Sequence, residues 1–154
     1  MEILNNIWMA ISTPDEGLIN IILTIGSIIE NLFTMLLFLS ILKIKSNNKQ
    51  KLLYVILMSV VSFVTRFIIP EPFNIFFNYF MMLFFISFIF KLSILNAIIA
   101  SVSSAITFGI VGFLVANTYM TILHISSEQL SSIPIYRLGY LFSMYIIVMI
   151  LFYD

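Results

Sequence analysis

Glu30 lies near the middle of an apolar stretch that runs from Leu18 to Leu42, and it is the residue in this sequence with the most to do chemically. A carboxyl group in such a setting can anchor a ligand amine, hold a cation, relay a proton, or act as a structural acid hydrogen-bonded to neighbouring helices. Asn20, Thr24, Ser27, Asn31 and Thr34 are spaced four, three, four and three residues apart, so a helix presents all five on one face. Glu30 borders that seam beside Ser27 and Thr34. Arg66 is the natural partner, on a face shared with Ser59, Ser62 and Thr65. It lies about one helical turn before Pro70, where its long side chain can snorkel to the boundary or extend inward toward Glu30. Ser27, Glu30, Asn31 and Arg66 are therefore the candidate buried polar group, serving either a ligand or the packing.

Other chemistries lack their residues. The sequence holds no cysteine and one histidine, His124, which excludes disulfides, thiolate metal sites and cysteine nucleophiles and leaves little for a metal centre. Nothing resembles a phosphate-cradling glycine loop, a Ser/His/Asp arrangement or a metal-binding helix motif. No catalytic, cofactor-binding or metal-binding residue is expected, and His124 reads as an interfacial loop residue.

The elements that must position these groups follow from composition. Of 154 residues, 62% are hydrophobic and 9% charged, too little polar surface for a water-facing fold of this size. Lipid must be the solvent. Seven acidic and seven basic residues balance, so no overall charge favours nucleic acid. A membrane crossing needs about 20 apolar residues, and five stretches qualify. The expected fold is an all-α polytopic membrane bundle forming a single embedded domain over 1–154, with an interfacial helix at 1–12 and spans at 14–42, 52–69, 73–90, 94–123 and 135–153. Short gaps make consecutive spans antiparallel neighbours.

Charge placement sets direction. Lys43, Lys45, Lys49 and Lys51 share one loop without an acid, which places that loop in the cytoplasm. Alternation then puts the N-terminus, the Pro70–Pro72 turn and the loop from His124 to Arg137 outside, and Lys91 and Asp154 inside. Arg137 alone lies on the wrong side for this rule. No cleaved signal peptide is expected, because Met1 and Glu2 supply no positive charge and Asn5 and Asn6 break the short apolar stretch. Ile3, Leu4, Ile7, Trp8 and Ile11 recur at helical spacing, with Trp8 suited to headgroup depth. Thr13 and Glu16 form a potential capping box around Pro14 for the first span, and Ser126 with Gln129 can cap a short surface helix.

Two further patterns concern packing. Ala97, Ser101, Ala105 and Gly109 recur every fourth residue, followed by Gly112, a small-residue face that suits close helix contact within the bundle or across a homodimer. Phe73, Phe77, Phe80, Phe84 and Phe88 form a stripe expected to face lipid or core, with Asn74 and Asn78 on the adjoining face. The fourth stretch overshoots a bilayer, which tilt, an interfacial first turn before Asn96 or a bend near Gly109 and Gly112 would absorb.

The opening MEILNNIWMAISTPDEGLINIIL, the loop KIKSNNKQKLLYVILMS, the turn RFIIPEPFN and the segment ISSEQLSSIPIYRL together resemble the N-terminal membrane region of clostridial sensor histidine kinases of the GHKL, Agr-like class. The resemblance spans nearly the whole sequence and rests on the order of its polar punctuation. It implies a receptor module in the bacterial plasma membrane that senses an extracellular peptide or small-molecule signal and passes it to a cytoplasmic dimeric kinase. The sequence up to Asp154 holds no phospho-accepting histidine region or ATP-binding boxes, so no enzyme activity is expected of it. Trp8, Glu71, Glu128 and Arg137 are the candidate outer-face recognition residues. The alternatives are a substrate-capturing subunit of a transporter, favoured by the depth of Glu30, or an immunity or scaffold protein acting through helix association alone.

Overall fold

The computed structural model describes residues 2–70 and 72–152; Glu71 and Asp154, both named above, lie outside them. Among the described residues the chain is all helical: α1 (Glu2–Ser12), α2 (Glu16–Ile41), α3 (Asn48–Ile68), α4 (Phe73–Phe90), α5 (Ile94–Leu123), α6 (Ser127–Ser132) and α7 (Pro134–Phe152). Five of these, α2, α3, α4, α5 and α7, are long and apolar enough to cross a membrane.

Helix ends follow local hydrogen bonding more than hydropathy. Thr13 does not cap α2, because its hydroxyl donates back to Met9 O at 2.8 Å and finishes α1. Asp15 is the cap, accepting from Leu18 N at 2.9 Å, and its carboxylate also suits the positive end of the helix dipole. Pro14 falls in the gap between the two helices. α3 starts before its apolar run does, since Asn47 and Gln50 form a reciprocal capping box. Ser126 and Gln129 cap α6 in the same way, as the sequence suggested. α5 is one unbroken helix of 30 residues, about 45 Å long.

The spans close a ring. α2 packs on α3, α3 on α4, α4 on α5, α5 on α7, and α7 returns to α2, while α2 also meets α5 across the middle. α1 lies against α7 with Ile7, Trp8 and Met9 exposed, and α6 packs on α5 and α7. Lys43, Lys45, Lys49, Lys51 and Lys91 all gather at one end, where Gln50 Nε2 donates to Ile89 O at 2.9 Å and ties the start of α3 to the end of α4. Lys43, Lys91 and His124 each sit in the left-handed region just past a helix end.

At the lysine end the bundle is tightly packed. Phe38 meets Tyr54 and Phe90 edge-on, each with ring centroids 5.4 Å apart, and all three rings are buried. Met35, Met58, Ile86 and Ile89 fill the space around them, and the small side chains of Ala97 and Ala100 let α5 approach. A second apolar contact joins α5 to α7 through Val111, Val115, Met144 and Val148. Gly112 belongs to that contact: a Cβ there would lie 2.9 Å from the Tyr140 hydroxyl. Gly109 does not, since nothing approaches within 4 Å of a Cβ built on it. The small-residue face thus serves the bundle at Ala97, Ser101 and Gly112, with Ala105 half-buried and Gly109 turned outward. The stripe of Phe73, Phe77, Phe80, Phe84 and Phe88 also points outward.

Candidate functional site

The half of the bundle away from the lysines is built differently. Between its helices lies a cavity of about 330 Å³, within the size range of small-molecule sites. All five spans line it. α2 brings Ser27, Glu30, Asn31 and Thr34, α3 brings Ser62 and Arg66, α4 brings Asn74, Asn78 and Tyr79, α5 brings Ser104, and α7 brings Arg137.

Local sequence explains each placement. The three-four spacing of Ser27, Asn31 and Thr34 turns them to one side of α2, where all three are buried. Asn31 Nδ2 reaches Ser59 Oγ of α3 at 3.5 Å. Ser62 and Thr65 of α3 face α4, where Asn78 Nδ2 donates to Thr65 Oγ1 and to Asn74 O, both at 2.9 Å. Ser62 Oγ completes this ladder by donating to Asn78 Oδ1 at 3.4 Å. The ladder fixes the rotation of α3 and therefore aims Arg66 at the cavity. Arg137 arrives from the first turn of α7, with its guanidinium carbon 5.5 Å from the centroid of the Tyr140 ring. Tyr119 and Ser143 hydroxyls, 2.9 Å apart, hold α7 on α5, and Tyr145 donates its hydroxyl to Gly26 O of α2 at 3.2 Å.

Charge is unevenly shared between the ends. The seven basic residues divide into five lysines at one end and two arginines, both lining the cavity. Glu30 lines the cavity and is itself exposed, and of the charges around it that of Arg66 acts most strongly and that of Arg137 next. Among the described residues the lining holds two basic side chains and one acidic one, in a setting where charges interact more strongly than in water. The site also holds unsatisfied hydrogen-bonding capacity. Ser104 Oγ, Asn74 Oδ1 and Arg137 Nε are buried without a partner among the described residues, and Ser104 is only 1% exposed.

Of the candidate residues, Ser27, Glu30, Asn31 and Arg66 are brought together, and Arg137 joins them. Trp8 and Glu128 remain exposed on α1 and α6 and do not line the cavity. Tyr79 and Ser104 were not singled out from the sequence, since nothing in a single apolar helix marks which tyrosine or serine will face a cavity. Arg137 carried one usable signal, a charge one turn inside a span that began at Pro134.

No family model, curated protein or solved structure matches the chain.

Proposed function

We propose that the chain is a membrane-embedded signal-receiving domain of the two-component, quorum-sensing type, which takes an extracellular peptide or small-molecule signal into the cavity between its spans. The observation that carries this reading is the convergence of Glu30, Arg66 and Arg137 from three different helices on one cavity. Such intramembrane charges are costly to maintain and mark functional positions in membrane proteins. The lysine end is cytoplasmic in this reading, by the excess of Lys over acid there, and the cavity then opens in the outer half of the bacterial plasma membrane. The ordered polar punctuation shared with Agr-like sensor kinases supports the same assignment.

α7 is the output element. It contributes Arg137 to the cavity at one end and leaves the bundle beside the lysines at the other, running parallel to α2 with Gly26 against Leu141 and Phe33 stacked on Tyr145 at 5.3 Å. A ligand that pulls Arg137 and Glu30 into a new arrangement moves α7 against α2 and α5, and helix shifts of about 1–2 Å suffice for such switching. No catalysis is assigned to the chain itself.

Because the sequence contains no cysteine, spin labels can be placed at will. Labels at Ile94 and Met149 report the spacing of α5 and α7 near the lysine end. Candidate signal peptides that photolabel the residues lining the cavity should also shift that distance in nanodiscs. Labelling without any shift, or labelling confined to the lysine end, rejects the receptor reading. A transport role is the second reading, since Glu30 sits deep enough for a mid-membrane substrate site. Uptake of a labelled vitamin or metal by vesicles holding the protein and an energising complex would favour it.

A further inference from the structure

Five of the seven basic residues stand at one end of the bundle, and none of them lines the cavity. Lys43 and Lys45 follow α2, Lys49 and Lys51 lie in the first two turns of α3, and Lys91 joins α4 to α5. The core beneath them sets their spacing. Phe38 packs edge-on against Phe90 with ring centroids 5.4 Å apart, which brings the ends of α2 and α4 together, and the bond from Gln50 Nε2 to Ile89 O brings in the start of α3. Depth is fixed as well. Ile44, between Lys43 and Lys45, and Leu92, next to Lys91, pack against that core, and residues 91–93 alone connect α4 to α5. The lysines are thus held where the apolar helices end, at the level of lipid headgroups.

Local structure alone does not favour these residues in these places. Lys43 and Lys91 occupy left-handed backbone, with φ of 51° and 55°, which glycine adopts without the clash that a side chain brings. Lys49 stands in the first turn of α3, which holds no acid, so its charge meets the positive end of the helix dipole. Like charges gathered on one perimeter also repel one another. None of the five side chains makes a hydrogen bond or ion pair among the described residues. Of the seven acids in the sequence, only Asp154 follows a span that runs to this end, so a positive excess stands wherever its carboxylate lies. The dipole and repulsion costs fall when anions settle among the lysines.

We infer that this end of the bundle is a binding surface for the phosphate headgroups of anionic phospholipids, with the five lysines as a rim around the ends of α2, α3 and α4. Placement favours a lipid over a soluble partner. The ammonium groups lie beside the apolar ends of the spans, so a phosphodiester anchored in the same leaflet meets them without leaving the bilayer. Clusters of about 4–8 basic residues next to a membrane helix attract anionic lipid in this way. The surface is separate from the cavity and does not depend on what the cavity takes.

The test is native mass spectrometry of the full chain released from micelles titrated with phosphatidylglycerol or phosphatidylcholine of matched acyl chains. Phosphatidylglycerol should bind about tenfold or more tightly, and the preference should shrink as ionic strength is raised. Changing all five lysines to Gln should make the two lipids equal, while changing all five to Arg should keep the preference. Thermal melting in phosphatidylcholine nanodiscs shows whether each variant is folded. Where the fivefold Gln variant does not fold, the single change Lys49→Gln should weaken phosphatidylglycerol about fivefold. Lys91→Gly should raise the melting temperature in phosphatidylcholine, by relieving the left-handed backbone, and weaken phosphatidylglycerol a few-fold. A merely structural role for Lys91 would not produce that split. Equal binding of both lipids by the parent chain, or a preference that survives the five Gln changes, overturns the proposal. So does displacement of the lipid at equal concentration by glycerol phosphate, which would make a soluble phosphate the occupant, or by polyglutamate, which would make it an acidic protein.

Discussion

The two ends of the bundle are made by the same helices and differ in almost everything else. At the lysine end, Phe38, Tyr54 and Phe90 pack ring against ring, and no charged side chain enters the core. At the opposite end, Glu30, Arg66 and Arg137 line a polar cavity that the same α2, α3 and α4 border about one to four turns further along. One end supplies packing and the other leaves capacity unfilled. In lipid, where helix association gains little from the hydrophobic effect, close dispersion contacts and interhelical hydrogen bonds must hold the bundle, so a tight end is what allows a loose end to exist.

The largest effect expected from this contrast is Phe38→Ala. Removing a buried ring from the tight end should cost about 3–5 kcal/mol and unfold the bundle at markedly lower SDS fraction in a mixed-micelle titration. If the same titration left Phe38→Ala as stable as the parent, the division of labour between the two ends would be wrong. Asn78→Ala comes next. It removes the bond to Thr65 that sets the rotation of α3 on α4, worth about 0.6–1.7 kcal/mol in a membrane bundle, and it should reduce photolabelling of the cavity by candidate signal peptides through a misaimed Arg66.

Orphaned hydroxyls offer a sharper comparison. Tyr54 OH is fully buried in the tight end and has no hydrogen-bond partner among the described residues. Tyr54→Phe should therefore raise stability by about 1 kcal/mol with photolabelling of the cavity unchanged. Ser104→Ala removes an orphan from the loose end, and should raise the stability of the empty protein while weakening photolabelling of the cavity by candidate signal peptides. Parallel effects in both would deny that the two orphans differ in purpose. The smallest effect is expected from Gly109→Ala, which adds a methyl group to open space and should shift the unfolding midpoint by less than about 0.5 kcal/mol. Gly112→Ala, which forces the Tyr140 hydroxyl aside, should cost more. A loss of self-association in Gly109→Leu, with an intact monomer, would assign the outward glycine to a dimer contact.

Much of the architecture was legible beforehand because hydropathy in a membrane protein is nearly decisive. Lipid forbids unsatisfied backbone, so each long apolar run must be a helix, and α4 and α5 end where the sequence placed them. The start of α2 was misjudged because Thr13 and Asp15 both suit a cap, and only the backbone path shows that Thr13 turns back to Met9. The start of α3 was placed late because Asn48, Lys49 and Gln50 are polar yet helical, drawn in by the capping box of Asn47. Ser27, Asn31 and Thr34 could be read as an inward face from spacing alone, while Glu30 borders them as an exposed residue that lines the cavity. That Phe73, Phe80 and Phe88 face outward while Phe85 and Phe90 face the core was not legible, since a helix rich in phenylalanine all round has no strong preferred side.

The sequence by itself determined that the protein lives in lipid, how many times it can cross, where its lysines gather and which helix carries a deep carboxylate. These are one-dimensional properties, set by the cost of exposing polar backbone and charge to hydrocarbon. Only the tertiary structure decided that Arg66 and Arg137, some seventy residues apart, meet Glu30 around one cavity. That meeting depends on the rotation of α3 and the seating of α7, and those are fixed by an asparagine ladder, a tyrosine on Gly26 O and the absence of a side chain at Gly112. Such contacts have no signature along the chain, because each needs two helices already in place.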